Sequence, residues 1–152
     1  MNKEQINSLL NDFGKNLGIE DLSFDDNNYC CLFFDDFVIN LELTNEGDIL
    51  YFYANVGEIP SSGKENFYEM LLQANFLFSQ TNGASLGISK QGNFVLLSYQ
   101  IITSGLDLNK FTNIVENFVN TVELWSKKID KFDLGDTPPL QDTSEITRGI
   151  KV

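Results

Sequence analysis

The chain has 152 residues, and its 22 acidic and ten basic side chains give a net charge of −12 at neutral pH. This length is typical of one domain, and a hydrophobic fraction of 42% with 13 phenylalanines excludes a chain too polar to fold. The acidic excess argues against binding to a nucleic-acid backbone, and no apolar run is long enough to predict a membrane span. The N-terminus also lacks the basic and apolar regions of a secretory signal.

The first half of the sequence predicts one helix followed by strands. Apolar residues at helical spacing predict a helix over residues 4–17. Aromatic and β-branched residues then predict strands over 21–24, 29–34, 37–43 and 49–56. Within 37–43, apolar residues alternate with more polar ones, which is typical of a half-buried strand.

A second helix is predicted over residues 64–80, and it is apolar on two sides. A helix of this kind is buried on both sides, which predicts a partner subunit, although a helix buried wholly within one domain would show the same pattern. The predicted homodimer interface consists of Phe67, Leu71, Ala74 and Phe78 on this helix. The later strand over 94–102 adds Leu97 to it. The alternative interface is the second apolar side of the helix, which carries Tyr68, Leu72 and Phe76.

The rest of the sequence predicts strands over 84–89 and 94–102 and a long amphipathic helix over 108–129. From residue 131 onward the sequence becomes polar and contains the Pro138-Pro139 pair. We therefore expect a domain over residues 1–130 and a flexible C-terminal tail over residues 131–152.

The sequence contains no pattern that indicates catalysis. It has no histidine, so the commonest general base and zinc ligand is missing. The acidic pairs at 25–26 and 35–36 lie at predicted strand ends, where turns favour aspartate, and neither has the spacing of a calcium loop. Cys30 and Cys31 are adjacent, so on a strand they point to opposite faces and form no disulfide, as is common in a reducing compartment. We expect no enzyme activity, no metal and no cofactor.

The predicted order α-β-β-β-α-β-β-α, together with five segments, resembles the class I type III secretion chaperones of the Tir-chaperone (CesT-like) family. The segments are residues 9–14 (LLNDFG), 30–36 (CCLFFDD), 57–60 (GEIP), 70–76 (MLLQANF) and 123–125 (ELW). The resemblance implies an α+β fold with a twisted antiparallel sheet and three helices, and a homodimer without cofactor. It also implies a bacterial cytoplasmic protein that binds the N-terminal segment of a secreted effector in extended form and presents it to the secretion ATPase.

The resemblance places the effector segment over the first helix and the first strands. The predicted effector-binding residues are Leu10, Phe13, Phe24, Leu32, Phe34, Ile39 and Leu41, although about half of them would equally suit a plain core. Residues 1–60 carry twelve acids and two lysines, so the N-terminal part would attract a basic segment, or would simply confer solubility. The alternative functions are a small adaptor or dimerisation module that binds folded partners, and a small enzyme or ligand-binding domain.

Overall fold

A computed structural model describes residues 1–133, which form three α-helices and one five-stranded sheet. Helix α1 spans Lys3–Asn16 and begins with a capping box, in which the Asn2 side chain accepts from the Gln5 N–H and the Gln5 side chain accepts from the Asn2 N–H. Its buried side is the apolar side predicted from the sequence, and it carries Ile6, Leu10 and Phe13.

The sheet is antiparallel throughout and has the order β1-β2-β3-β5-β4. Its strands are β1 (Tyr29–Phe34), β2 (Phe37–Leu43), β3 (Ile49–Glu58), β4 (Ser85–Ile88) and β5 (Phe94–Ile102). The two edge strands, β1 and β4, are therefore far apart in space. β3 carries an irregularity between Asn55 and Gly57. A Cβ atom on Gly57 would lie 2.6 Å from Ile129 Cγ2, so glycine allows α3 to pack closely there.

Helix α3 (Leu108–Asp133) crosses β3 and forms the main core with α1. The Phe111 ring meets the Phe13 ring edge-on at 5.0 Å and lies 6.1 Å from the Phe52 ring of β3. Trp125 is fully buried, and its Nε1 donates to the Gln80 carbonyl at 3.0 Å. The main part of the core thus lies between these two helices and one face of the sheet.

Helix α2 (Lys64–Asn75) packs beside β4 and is followed by a short 3₁₀ turn over Phe76–Phe78. The prediction of a helix to residue 80 is wrong in this part, because Leu77 and Phe78 adopt left-handed φ angles of 53° and 54°. Residues 21–24 form no strand, and α3 continues to Asp133 rather than ending at residue 129. The remainder of the predicted tail, residues 134–152, lies outside the described residues.

The described architecture confirms the predicted α+β class with three helices and an antiparallel sheet. Within residues 1–133, no helix combines the length and the apolar character that crossing a membrane requires.

Candidate interaction surfaces

The two faces of the sheet differ in what covers them. The covered face lies under α1 and α3 and carries residues such as Leu32, Ile39, Leu41 and Phe52, all of them buried. The other face, which we call the open face, carries the alternate residues of the same strands. Its members include Cys31, Phe33, Asn40, Glu42, Tyr51, Tyr53, Leu96, Ser98 and Ile102.

Six of the seven predicted effector-binding residues lie in the core rather than at a surface. These six are Leu10, Phe13, Phe24, Leu32, Ile39 and Leu41. Their side chains are at most 6% exposed and belong to the core between α1, α3 and the covered face, so a peptide cannot reach them in this structure. Phe34 is the exception, because it is half-buried and its ring stacks on Phe37 at 5.8 Å. The predicted set therefore lies on the face that the helices cover, and Phe34 alone of its members stays partly accessible.

The outer edge of β1, which we call the β1 edge, offers hydrogen-bonding groups to an added strand. In an antiparallel pair, alternate residues direct both backbone groups away from the neighbouring strand. The backbone groups of Tyr29 face outward and are already satisfied by Asp25. The Tyr29 N–H donates to Asp25 Oδ1 at 2.9 Å, and the Tyr29 carbonyl accepts from the Asp25 N–H at 2.9 Å. The next outward residues are Cys31 and Phe33, whose N–H groups have no acceptor among residues 1–133; the Cys31 carbonyl receives only a 4.0 Å contact from Cys30 Sγ.

Phe33 is the most exposed large apolar side chain within residues 1–133, at 76%. It lies at the β1 edge, next to the free backbone groups of Cys31 and of its own residue. Exposed aspartates flank the strand at both ends, at 25–26 and at 35–36. An apolar side chain beside unpaired strand groups suits β-augmentation, and the flanking acids favour a basic partner.

The centre of the open face is polar and hydrogen-bonded. The Tyr29 hydroxyl donates to Asn40 Oδ1 at 2.6 Å, and Asn40 Nδ2 donates to the Tyr53 carbonyl at 3.1 Å. The Tyr53 hydroxyl lies 3.5 Å from Glu42 Oε2. Burial raises the pKa of the Tyr29 and Tyr53 hydroxyls, and the Glu42 carboxylate adds to the rise at Tyr53, so both hydroxyls remain protonated donors at neutral pH.

Two adjoining depressions lie on the open face toward β4. One has a volume of about 360 Å³, and its lining includes Tyr53, Gly87 and Leu96. The second, of about 250 Å³, is lined by residues that include Phe78 and Gly83, and both depressions include Tyr51 and Ser98. These depressions therefore connect the open face with the turn that follows α2.

The exposed apolar residues at the end of α2 form a second surface, which we call the turn patch. It consists of Leu72, Phe76, Leu77 and Phe78, all exposed, with Leu72 at 71% and Leu77 at 63%. The two left-handed residues, Leu77 and Phe78, carry bulky side chains in a costly conformation, a feature that concentrates at functional sites.

The predicted dimer residues separate into core and surface. Phe67, Leu71 and Ala74 are buried within the single chain, because that side of α2 packs on β4 and α3. Leu97 of β5 is buried in the covered face of the sheet. Only Phe78 of the predicted set is exposed. The alternative side of the helix, with Leu72 and Phe76 exposed and Tyr68 half-buried, is the one that faces solvent.

Sequence reasoning missed Phe33 and Leu77, which are exposed members of the β1 edge and the turn patch. Phe33 had a detectable signal, because strand alternation places it opposite the buried Leu32. Leu77 had none, since its exposure follows from the left-handed turn that ends α2. Residues 1–133 hold no group of three or more potential metal ligands.

Comparison with known proteins agrees with this architecture. Residues 8–126 match the model of the Tir chaperone protein (CesT) family. A Tir chaperone from Citrobacter freundii is 28% identical over 116 residues, which cover 76% of this chain and 73% of that protein.

Solved structures show the same fold. A chain of the ExsC-ExsE complex superposes with a TM-score of 0.74 at 24% identity, covering 85% of this chain and 97% of that one. A chain of the HopA1-SchA chaperone-effector complex gives a TM-score of 0.66 at 19% identity, covering 79% and 91%. These findings confirm the resemblance and the fold expected from the sequence. Because the family model matches most of its length, the chain belongs to the Tir chaperone protein (CesT) family.

Proposed function

We propose that this protein is a type III secretion chaperone, which binds the N-terminal segment of one or more secreted effectors in extended form. The observation that carries the proposal is the β1 edge, where the exposed Phe33 and its neighbour Cys31 both have outward-facing N–H groups without an acceptor among residues 1–133. Family membership supports the same function, and the HopA1-SchA neighbour is described as a chaperone-effector complex.

The chemistry of the β1 edge defines the segment that would bind. An added strand would pair with Cys31 and Phe33, and an apolar side chain of the segment would pack against the Phe33 ring. Aspartates at 25–26 and 35–36 would attract lysine or arginine at both ends of that strand. Phe34 is the one predicted effector-binding residue that adjoins this surface and remains partly accessible.

We further propose that a second copy of this chain covers the turn patch. The patch projects next to the 250 Å³ depression, to which Phe78 itself contributes. A projection and a hollow on one surface suit an isologous dimer, in which each copy fills the hollow of the other. The proposed interface replaces the buried residues Phe67, Leu71, Ala74 and Leu97 by Leu72, Phe76 and Leu77, and retains Phe78.

The proposal places the protein in the bacterial cytoplasm as a non-catalytic carrier that presents its effector to the secretion ATPase. It assigns the chaperone role to the domain over residues 1–130. The family match, which spans residues 8–126, supports this assignment.

Effector binding is tested with candidate effectors, chosen among the secreted proteins of the same bacterium. The isolated N-terminal segment and the full folded form of each are titrated into the purified chaperone. We expect the segment to bind and Phe33→Ala to weaken binding about tenfold or more, as loss of a central apolar contact does. Leu124→Ala, which removes an exposed apolar side chain from α3, is the matched control and should bind like wild type. Binding of the folded form alone would favour the adaptor instead.

The dimer is tested with two adjacent leucines. Leu72→Asp places a charge on the turn patch and should give a folded monomer in sedimentation velocity. Leu71→Asp buries the same charge in the core, at 4% exposure, and should unfold the protein. A wild-type chain that is monomeric at micromolar concentration would refute the dimer.

A further inference from the structure

The two edges of the sheet differ in how many outward-facing backbone groups are already satisfied. At the β1 edge, two successive outward-facing residues, Cys31 and Phe33, have N–H groups without an acceptor among residues 1–133. At the other edge, which we call the β4 edge, the outward-facing residues are Ala84, Leu86 and Ile88. An open strand edge is a general site for unwanted pairing with another chain, so the state of each edge decides where a strand can be added.

The Asn75 side chain occupies the place of a neighbouring strand at Leu86. Its Oδ1 accepts from the Leu86 N–H at 2.8 Å, and its Nδ2 donates to the Leu86 carbonyl at 2.9 Å. A side-chain amide thereby reproduces the two hydrogen bonds that a paired strand residue would make. Asn75 is the last residue of α2, so the helix fixes this amide beside the edge.

Thr81 satisfies both backbone groups of Ala84, the outward-facing residue that precedes Leu86 along the edge. Its Oγ1 donates to the Ala84 carbonyl at 2.6 Å, and its own carbonyl accepts from the Ala84 N–H at 3.0 Å. Thr81 is fully buried, so these bonds are shielded from water. Among the residues that the structure describes, Ile88 is the single outward-facing residue of β4 whose backbone N–H and carbonyl have no hydrogen-bond partner.

We propose that Asn75 and Thr81 close the β4 edge against strand pairing and thereby direct an extended segment to the β1 edge. This inference deepens the proposed function and rests on it for the identity of the added strand. Ile88 alone offers one pair of backbone hydrogen bonds to an added strand. Cys31 and Phe33 at the β1 edge offer two successive pairs. Removing the Asn75 amide would leave the backbone groups of Leu86 without partners, next to those of Ile88. Each edge would then have two successive residues available to an added strand.

Opening the β4 edge has a consequence that can be measured without an effector. The β1 edge is flanked by four exposed aspartates, which disfavour pairing of two β1 edges by charge repulsion. A β4 edge lacks these acids and is followed by Lys90, so it would accept the β1 edge of another copy. Such a contact joins two different surfaces head to tail, so each added copy presents a further edge and the assembly grows beyond two copies, as an open chain or as a ring.

The test is sedimentation velocity of the full-length protein over a concentration series. Asn75→Ala should show about a twofold or larger rise in weight-average mass relative to wild type, increasing with concentration, since unprotected edges associate. Asn75→Asp keeps the acceptor for the Leu86 N–H and loses the donor, so it should show a smaller rise. Val122→Ala removes a buried side chain from α3 and controls for a loss of stability that leaves β4 unchanged.

An Asn75→Ala protein that melts at a lower temperature but keeps the wild-type mass would overturn the proposal, because Asn75 would then only stabilise the fold. An equal rise in mass for Val122→Ala would overturn it as well, since partial unfolding would explain the association. Failure of wild type to bind any effector segment would refute the proposed function while leaving this result interpretable, because no effector is present in the experiment.

Discussion

Cys30 and Cys31 are neighbours on one strand, yet they lie on opposite faces of the sheet. Cys30 points into the covered face and is 6% exposed, whereas Cys31 is half-buried on the open face. The same contrast separates the two sides of every central strand, because α1 and α3 pack on one face alone. The covered face provides the stability of the fold, and the open face with its β1 edge carries the surface that we assign to binding.

The largest expected effect compares one phenylalanine from each side of the sheet. Phe52 is fully buried under Phe111 and Phe118, so Phe52→Ala should lower the free energy of unfolding by about 3–5 kcal/mol. Phe33 is 76% exposed, so Phe33→Ala should change the free energy of unfolding by less than about 0.5 kcal/mol. Urea denaturation of both variants measures the difference. Similar losses for the two would show that the open face is covered within the monomer.

The second effect is a pH dependence that belongs to Cys30. Burial raises the pKa of the Cys30 thiol from 9.0 to about 11, so the folded state keeps the proton longer than the unfolded state. As the pH rises from 9 toward 11, the unfolded thiol ionises first and the folded protein should lose on the order of 1–2 kcal/mol of unfolding free energy. Denaturation of wild type and Cys30→Val across this range isolates the effect, since the variant lacks the thiol.

The same two cysteines provide a direct comparison of access. A thiol-reactive maleimide should modify Cys31 before Cys30 in the native protein, because only Cys31 lies on the open face and only the thiolate reacts. Cys30→Val and Cys31→Val variants assign the two rates. Faster modification of Cys30 would mean that the covered face opens more readily than the packing of α1 and α3 indicates.

The smallest expected effect concerns residues 134–152. Within residues 1–133, α1, α3 and the covered face already bury a continuous apolar core. Truncation after Asp133 should therefore change the free energy of unfolding by less than about 1 kcal/mol and leave the mass of the proposed dimer unchanged apart from the residues removed. Thermal melts and sedimentation of the two lengths test this. A large loss of melting temperature would show that the segment contacts the domain.

Most of the fold was predictable because its signals are local. Helical spacing identified the buried side of α1, and alternation along residues 37–43 separated the two faces of β2 correctly. The prediction failed at the end of α2, where Leu77 and Phe78 adopt left-handed angles without a glycine to mark the turn. The sequence before that point continues an apolar helical pattern, so nothing local indicates that Phe78 leaves the helix axis.

The site was less predictable because it depends on which side of a strand the helices cover. Leu32, Ile39 and Leu41 are apolar and lie on the expected strands, but α1 and α3 bury them. Phe33 is equally apolar and lies between Leu32 and Phe34, so strand alternation is the one local signal that distinguishes it from core. The bonds from Asn75 to Leu86 join residues 11 apart across a turn, and only the folded chain reveals that they occupy a sheet edge.

The most direct test of the central claim is amide hydrogen exchange of the chaperone with and without the N-terminal segment of its effector. Addition of a strand at the β1 edge should slow exchange at Cys31 and Phe33, whose N–H groups lack partners within residues 1–133 of the free protein. Leu86 is already bonded to Asn75, so its exchange should be slow in both states. Unchanged exchange at Cys31 and Phe33, with new protection at Ile88, would show that the segment pairs with the β4 edge and would contradict the claim.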